Sequence, residues 1–190
     1  MTRQLVLLLA LGLAGIALPA CRPGTPTSPE TDPATTCEAS AAELANLTYT
    51  IELVDSGSVQ LNAGEYRAPA APGSATEVLV QLTDHVACGD LNGISSAAAV
   101  LVSSAGGSGT FYSLHAVQPL DGTPAEVAYV MLGDRVKVEG VAIEDNLIFV
   151  DLITHAADDP LCCPTEAVVQ AYALDGTELR LVSTTPRTSP

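Results

Sequence analysis

The stretch Gly133–Pro164, GDRVKVEGVAIEDNLIFVDLITHAADDPLCCP, decides the fold. From Arg135 to Ile143, Val136 and Val138 alternate with Lys137 and Glu139, the period of a strand with one wet face. Leu147–Thr154 is apolar on both faces except at Asp151, as a strand covered on both sides would be. Only a turn separates the two, so they are antiparallel neighbours. An acidic loop follows and ends in adjacent cysteines, Cys162 and Cys163.

The same pattern extends in both directions. Ala167–Leu174 and Glu178–Val182 flank Asp175-Gly176, a two-residue hairpin signal. Upstream, strands are predicted over Tyr49–Val54, Ser58–Leu61, Glu77–Asp84, Ala97–Val102, Thr110–Val117 and Val127–Leu132. Ala97–Val102 is apolar on both faces and is expected to be central. Ser40-Ala41-Ala42-Glu43 fits a capping box, opening a helix over Ala41–Asn46 with Leu44 and Leu47 toward the core. No segment has the 10–15-residue helical pattern of a βαβ unit. The expected fold is mainly β, an antiparallel meander sheet or sandwich with one short N-terminal helix.

The N-terminus has a different character. Thr2-Arg3-Gln4 precedes an uncharged apolar run of 14 residues, Leu5–Leu18, and Leu18-Pro19-Ala20-Cys21 follows. That run has the length of a signal-peptide core, since a spanning helix needs about 20 residues. Small residues before a cysteine resemble the bacterial lipobox. The reading is a signal peptide over 1–20 and lipidation of Cys21; an ordinary signal peptide is the alternative. Residues 21–36 form a Pro/Thr/Ser-rich tether without a large apolar residue, unable to build a core. A single β-rich domain is expected over 37–183 and a disordered tail over 184–190.

Charge excludes some partners. Lys and Arg number 7 against 22 Asp and Glu, and loss of Arg3 with the leader makes the balance more negative. Nucleic acid would require a basic patch. With no Trp, two Phe and five Tyr, few stacking platforms exist for sugars or single-stranded bases.

Motifs for catalysis are sparse. Cys88–Gly93, CGDLNG, begins like a calcium loop at Asp90 and Asn92, but Ile94, Ser95 and Ser96 then replace further ligands. It reads as an Asn-Gly turn. The glycine run Ala105–Thr110 lacks the lysine of a phosphate loop and enters a strand. His85, His115 and His155 form no local metal pair and read as structural. Gly-x-Ser-x-Gly and Ser-x-x-Lys are missing. The acid pair Asp158-Asp159 reads as a turn cap beside Pro160. No catalytic residue, metal site or cofactor is expected.

The cysteines carry the sharpest chemistry. With Cys21 lipidated, Cys37, Cys88, Cys162 and Cys163 remain, and an even number in an exported chain suggests two disulfides. Of three connectivities, Cys37–Cys88 with Cys162–Cys163 is preferred, the adjacent pair closing a tight ring in DDPLCCPT. Joining each of the last two to a distant partner, or a thiol pair binding a soft metal with His155, are the alternatives.

Several motifs, DLNG (Asp90–Gly93), GGSGTFYSL (Gly106–Leu114), LGDRVKV (Leu132–Val138) and DDPLCCPT (Asp158–Thr165), resemble in their order a family of uncharacterised bacterial lipoproteins. NLTY (Asn46–Tyr49) and LNAGEY (Leu61–Tyr66) also fit, so the likeness runs over Ala41–Val182. The paired-cysteine motif alone is similar to that of mycobacterial LppP/LprE-type lipoproteins. Related chains often continue DLNG with an acidic run, where Ile94 and Ser95 stand here. The resemblance implies a secreted, lipid-anchored β domain of the cell envelope and supplies no catalytic residues.

The functional expectation is a non-enzymatic interaction or ligand-binding module on the extracytoplasmic face of a bacterial membrane. It would be held by its N-terminal lipid and meet an envelope protein or a small ligand. The candidate face is Asp158, Asp159, Cys162 and Cys163. The alternative is a thiol-redox or metal-handling lipoprotein using the paired cysteines.

Overall fold

The computed structural model describes residues 37–187, which fall within one compact unit. The leader 1–20, Cys21 and the tether 21–36 lie outside the described residues. Eleven strands and one helix of four residues make the described part mainly β and antiparallel throughout, as the sequence predicts.

Two meanders carry the architecture. The first is a five-stranded sheet of β3 (Glu65–Pro69), β4 (Glu77–Leu91), β5 (Ile94–Ser104), β6 (Phe111–Leu120) and β7 (Thr123–Asp134), in that order. The second is a four-stranded sheet of β8 (Lys137–Glu144), β9 (Leu147–Thr154), β10 (Glu166–Asp175) and β11 (Glu178–Pro186), ordered β11-β10-β9-β8. Tight turns set this topology. Asn92-Gly93, Asp121-Gly122 and Asp145-Asn146 each hold two consecutive residues at positive φ, which matches the twist of antiparallel strands. At the β10–β11 hairpin Asp175 pairs with Glu178, so the loop is Gly176-Thr177, with φ +63 at Gly176.

The meanders face each other. Ala98, Val100, Leu114, Ala116 and Ala128 pack against Val138, Ile148, Val150, Leu152, Val168 and Tyr172, forming a sandwich core. Burial pushes the Tyr172 phenol up to about 12. The other face of the five-stranded sheet is covered too. The helix α1 (Ala41–Leu44) and the ribbon of β1 (Thr48–Thr50) and β2 (Ser58–Gln60) place Leu44, Tyr49, Ile51, Val59 and Leu61 over Val80, Ala97, Ala99 and Leu101. The result is three layers, and β5 is the centre of the middle one. Ala97–Leu101 are all buried, as the two-sided apolar run predicts.

Several boundaries differ from expectation. α1 stops at Leu44, though its capping box forms: Glu43 N–H donates to Ser40 Oγ at 3.2 Å, and Ser40 N–H to Glu43 Oε2 at 2.8 Å. The first strand ends at Thr50, where the chain turns to bring Ile51 N–H onto Gly57 O at 3.0 Å. β3 is not among the expected strands; it lies at the edge of the five-stranded sheet, where its Pro69 is tolerated. β4 runs through Cys88 to Leu91, so DLNG is a hairpin tip. Arg135 is not in a strand, since its φ of +54 belongs to the crossover between sheets. The disordered-tail expectation fails for 184–187. β11 pairs out to Val168↔Pro186, and Arg187 Nη1 reaches both Asp151 Oδ2 at 2.7 Å and Glu139 Oε2 at 2.5 Å. Residues 188–190 lie outside the described residues.

Candidate functional site

The crossover from β7 to β8 gathers three loops at one end of the molecule. Arg135 N–H donates to Thr110 O at 2.6 Å, and Thr110 N–H donates to Asp134 Oδ1 at 2.8 Å. The guanidinium then spans the gap. Its Nε donates to Ser108 O at 2.7 Å, Nη2 to Ser108 Oγ at 3.0 Å, and Nη1 to Leu161 O at 2.9 Å. Asp134 Oδ2 lies 3.1 Å from Nη1 and balances the charge. One rigid five-donor fork therefore joins the glycine-rich β5–β6 loop, the crossover and the β9–β10 loop.

The β9–β10 loop is braced from within as well. Asp159 Oδ2 accepts from Ala156 N–H at 2.8 Å and Thr165 N–H at 2.7 Å, and its Oδ1 accepts from Thr165 Oγ1 at 2.9 Å. These bonds, the one from Ala156 first, hold the carboxyl below the usual aspartate range, and His155 adds a favourable charge. Cys163 N–H closes a turn onto Pro160 O at 2.9 Å. Asp159 is thus turned onto its own loop, while Asp158 stays exposed. Leu161 is 75 % exposed, the most exposed large apolar side chain among the described residues. Cys162 and Cys163 are exposed beside it, their sulfurs at bonding distance and their Cα atoms 3.8 Å apart. The other two cysteines also meet: Cys37 and Cys88 are bonded across 51 residues, with Cα atoms 5.2 Å apart. This link joins the start of the described chain to the β4 face that α1 covers.

His155 Nε2 lies 3.2 Å from Asp134 O, and its buried Nδ1 has no partner among the described residues. No three His, Cys, Asp or Glu side chains among the described residues converge as a metal site. At the DLNG hairpin the polar atoms are spent on the fold. Asp90 Oδ1 accepts from Gly93 N–H at 2.7 Å, and Asn92 Nδ2 donates to Leu174 O at 3.0 Å.

A second polar constellation was not read from the sequence. Ser113 and His115 project from one face of β6, with Glu126 on β7 beside them. His115 Nδ1 meets Glu126 Oε1 at 2.5 Å and Nε2 meets Ser113 Oγ at 2.7 Å. Glu126 Oε2 accepts from Thr50 N–H at 2.8 Å and Thr50 Oγ1 at 2.9 Å. The order of groups is that of nucleophile, base and orienting acid. Ser113 and His115 are nevertheless 3 % and 0 % exposed, and Tyr49 packs edge-on against the imidazole with centroids 5.2 Å apart. Burial, with help from the Glu126 charge, raises the Tyr49 phenol pKa well above its ordinary value. The row fastens β1 to the middle sheet, and its Ser113–His115 end is sealed from solvent. Its only signal in the sequence is a Ser and a His two apart in an otherwise apolar strand.

Among the described residues no helix is long and apolar enough to cross a membrane. No family model, curated protein or solved structure matches the chain.

Proposed function

We propose that the protein is a lipid-anchored envelope protein of a bacterial membrane whose β domain is a non-enzymatic docking module for another envelope protein. In this reading Cys21 carries the lipid and 21–36 is the spacer. The docking end is the loop cluster bound by Arg135. The observation that carries the reading is Leu161, which a fixed backbone presents to solvent at 75 % exposure. An apolar side chain held out on a braced loop suits recognition, because little loop entropy is lost on binding. The docking element is Leu161 with Cys162 and Cys163, and Asp159 serves as its brace.

The test has two parts. Intact mass of protein from native membranes should show a diacylglyceryl increment at Cys21, absent from Cys21→Ser. A photo-crosslinking residue at position 161 should give a discrete adduct in native membranes, lost on Arg135→Ala and not seen from the exposed position Glu178. Equal adducts from positions 161 and 178 would sink the docking end, and an unlipidated mature chain would sink the anchor.

A further inference from the structure

We propose that Cys162–Cys163 is a reversible thiol–disulfide exchange site, reduced by an envelope dithiol, and that its redox state regulates the docking loop. The inference rests on the docking reading for its regulatory half only.

Three observations lead to it. The first is that the bond does little as a staple. Cross-links stabilise a fold chiefly by closing chain, and closure entropy grows with the number of residues enclosed. Cys37–Cys88 has a sequence separation of 51, whereas Cys162–Cys163 has a separation of 1. The second is that the loop keeps its shape by other means. Asp159 ties Ala156 to Thr165, Arg135 holds Leu161 O, and Cys163 N–H holds Pro160 O. None of these bonds passes through sulfur, so the pair can open without unravelling the loop. The third is access. Cys162 and Cys163 lie on the exposed tip, whereas Cys37 and Cys88 are half-buried, with Cys37 packed against the core beneath α1. Exchange requires in-line approach of a thiolate to sulfur, which an exposed tip allows.

A thiolate of the dithiol attacks one sulfur of the pair, forming a mixed disulfide and expelling the other cysteine as thiolate. The second thiol of the reductant displaces the mixed disulfide. Two electrons and two protons pass to Cys162 and Cys163, and the reductant leaves as its disulfide. Opening the ring releases the side chains that flank Leu161 and alters the surface a partner meets.

The mature full-length protein in detergent would be equilibrated in graded mixtures of reduced and oxidised dithiothreitol, alkylated, and mapped by peptide mass. The expected result is two alkyl groups appearing together on the Cys162–Cys163 peptide while Cys37 and Cys88 stay protected, with the melting temperature lowered by no more than about 2–4 °C and full reversal on reoxidation. Opening of the pair only together with Cys37–Cys88, or only with unfolding, would overturn the proposal. So would failure to reoxidise. Crosslinking from position 161 in the oxidised and reduced states separates the two readings. A change in adduct yield supports regulation, and an unchanged yield with intact exchange refutes the regulatory half. An adduct without exchange leaves docking standing and the exchange site refuted.

Discussion

At the scale of single residues, burial decides which polar groups matter. Among the described residues Glu126 is the one carboxylate on a fully buried imidazole, and it also holds the Thr50 N–H. Removing one partner of a buried hydrogen bond leaves the other unsatisfied, typically at about 1–3 kcal/mol. Glu126→Ala is expected to lower the urea midpoint accordingly, and Glu126→Gln to lower it less, since the amide oxygen can still accept. Asp159 acts only locally. Its pKa is depressed in the fold, so its contribution is fully present above the ordinary aspartate value of about 3.9 and is lost as pH falls through the lower folded value. The protection of the Ala156 and Thr165 amides, read against the intrinsic exchange rate at each pH, should therefore fall in acid below that value, and Asp159→Ala should lower it at pH 7. Neither role was legible in the chain. Asp159 reads as one of two equivalent acids, and only the hydrogen bonds distinguish it from Asp158.

At the scale of elements, strand spacing and cross-links carry the energetics. Gly89 on β4 lies against β8 so closely that an added Cβ would sit 2.5 Å from Ile143 Cγ2. Gly89→Ala is expected to destabilise by about 1–3 kcal/mol through overpacking, and Ile143→Ala should recover little of that in a double-mutant cycle, because Ile143 Cβ at 2.6 Å and its carbonyl oxygen at 2.9 Å stay in the way. The β4 strand also carries an irregularity in which Thr83–His85 face the single residue Val100. Thr83 Oγ1 donates to Val100 O at 2.9 Å, and the two extra residues preserve the alternation, keeping Cys88 on the face that α1 covers. The two disulfides should differ in effect. By loop closure the loss of Cys37–Cys88 in the double serine variant should cost about 4 kcal/mol, against about 1 kcal/mol for Cys162–Cys163, read from denaturant midpoints. The strands themselves were legible because β-branched alternation and Asn-Gly or Asp-Gly punctuation are local. β3 and the end of β11 were missed for the same reason: their proline and threonine content reads as loop, and only pairing with β4 and β10 makes them strands.

At the scale of the whole molecule, the middle sheet is the part that nothing else can replace. β5 is covered by the four-stranded sheet on one side and by the helix and ribbon on the other. Its amides are expected to exchange slowest of all, at rates set by global unfolding, while those of the β9–β10 loop exchange by local opening. Leu101→Ala should cost about 2–5 kcal/mol by the cavity it leaves in a fully buried layer. The sequence by itself determined the mainly β class, the antiparallel neighbours, the capping box and the centrality of Ala97–Val102. Each of these follows from local propensity, from period-two patterning or from link length, and all three are written along the chain. Only the tertiary structure decided that two meanders stack face to face, that a separate ribbon seals Ser113 and His115, and that Arg135 joins Ser108 to Leu161. Those features depend on residues tens of positions apart meeting in space, where packing and desolvation, rather than spacing in the chain, select the partner.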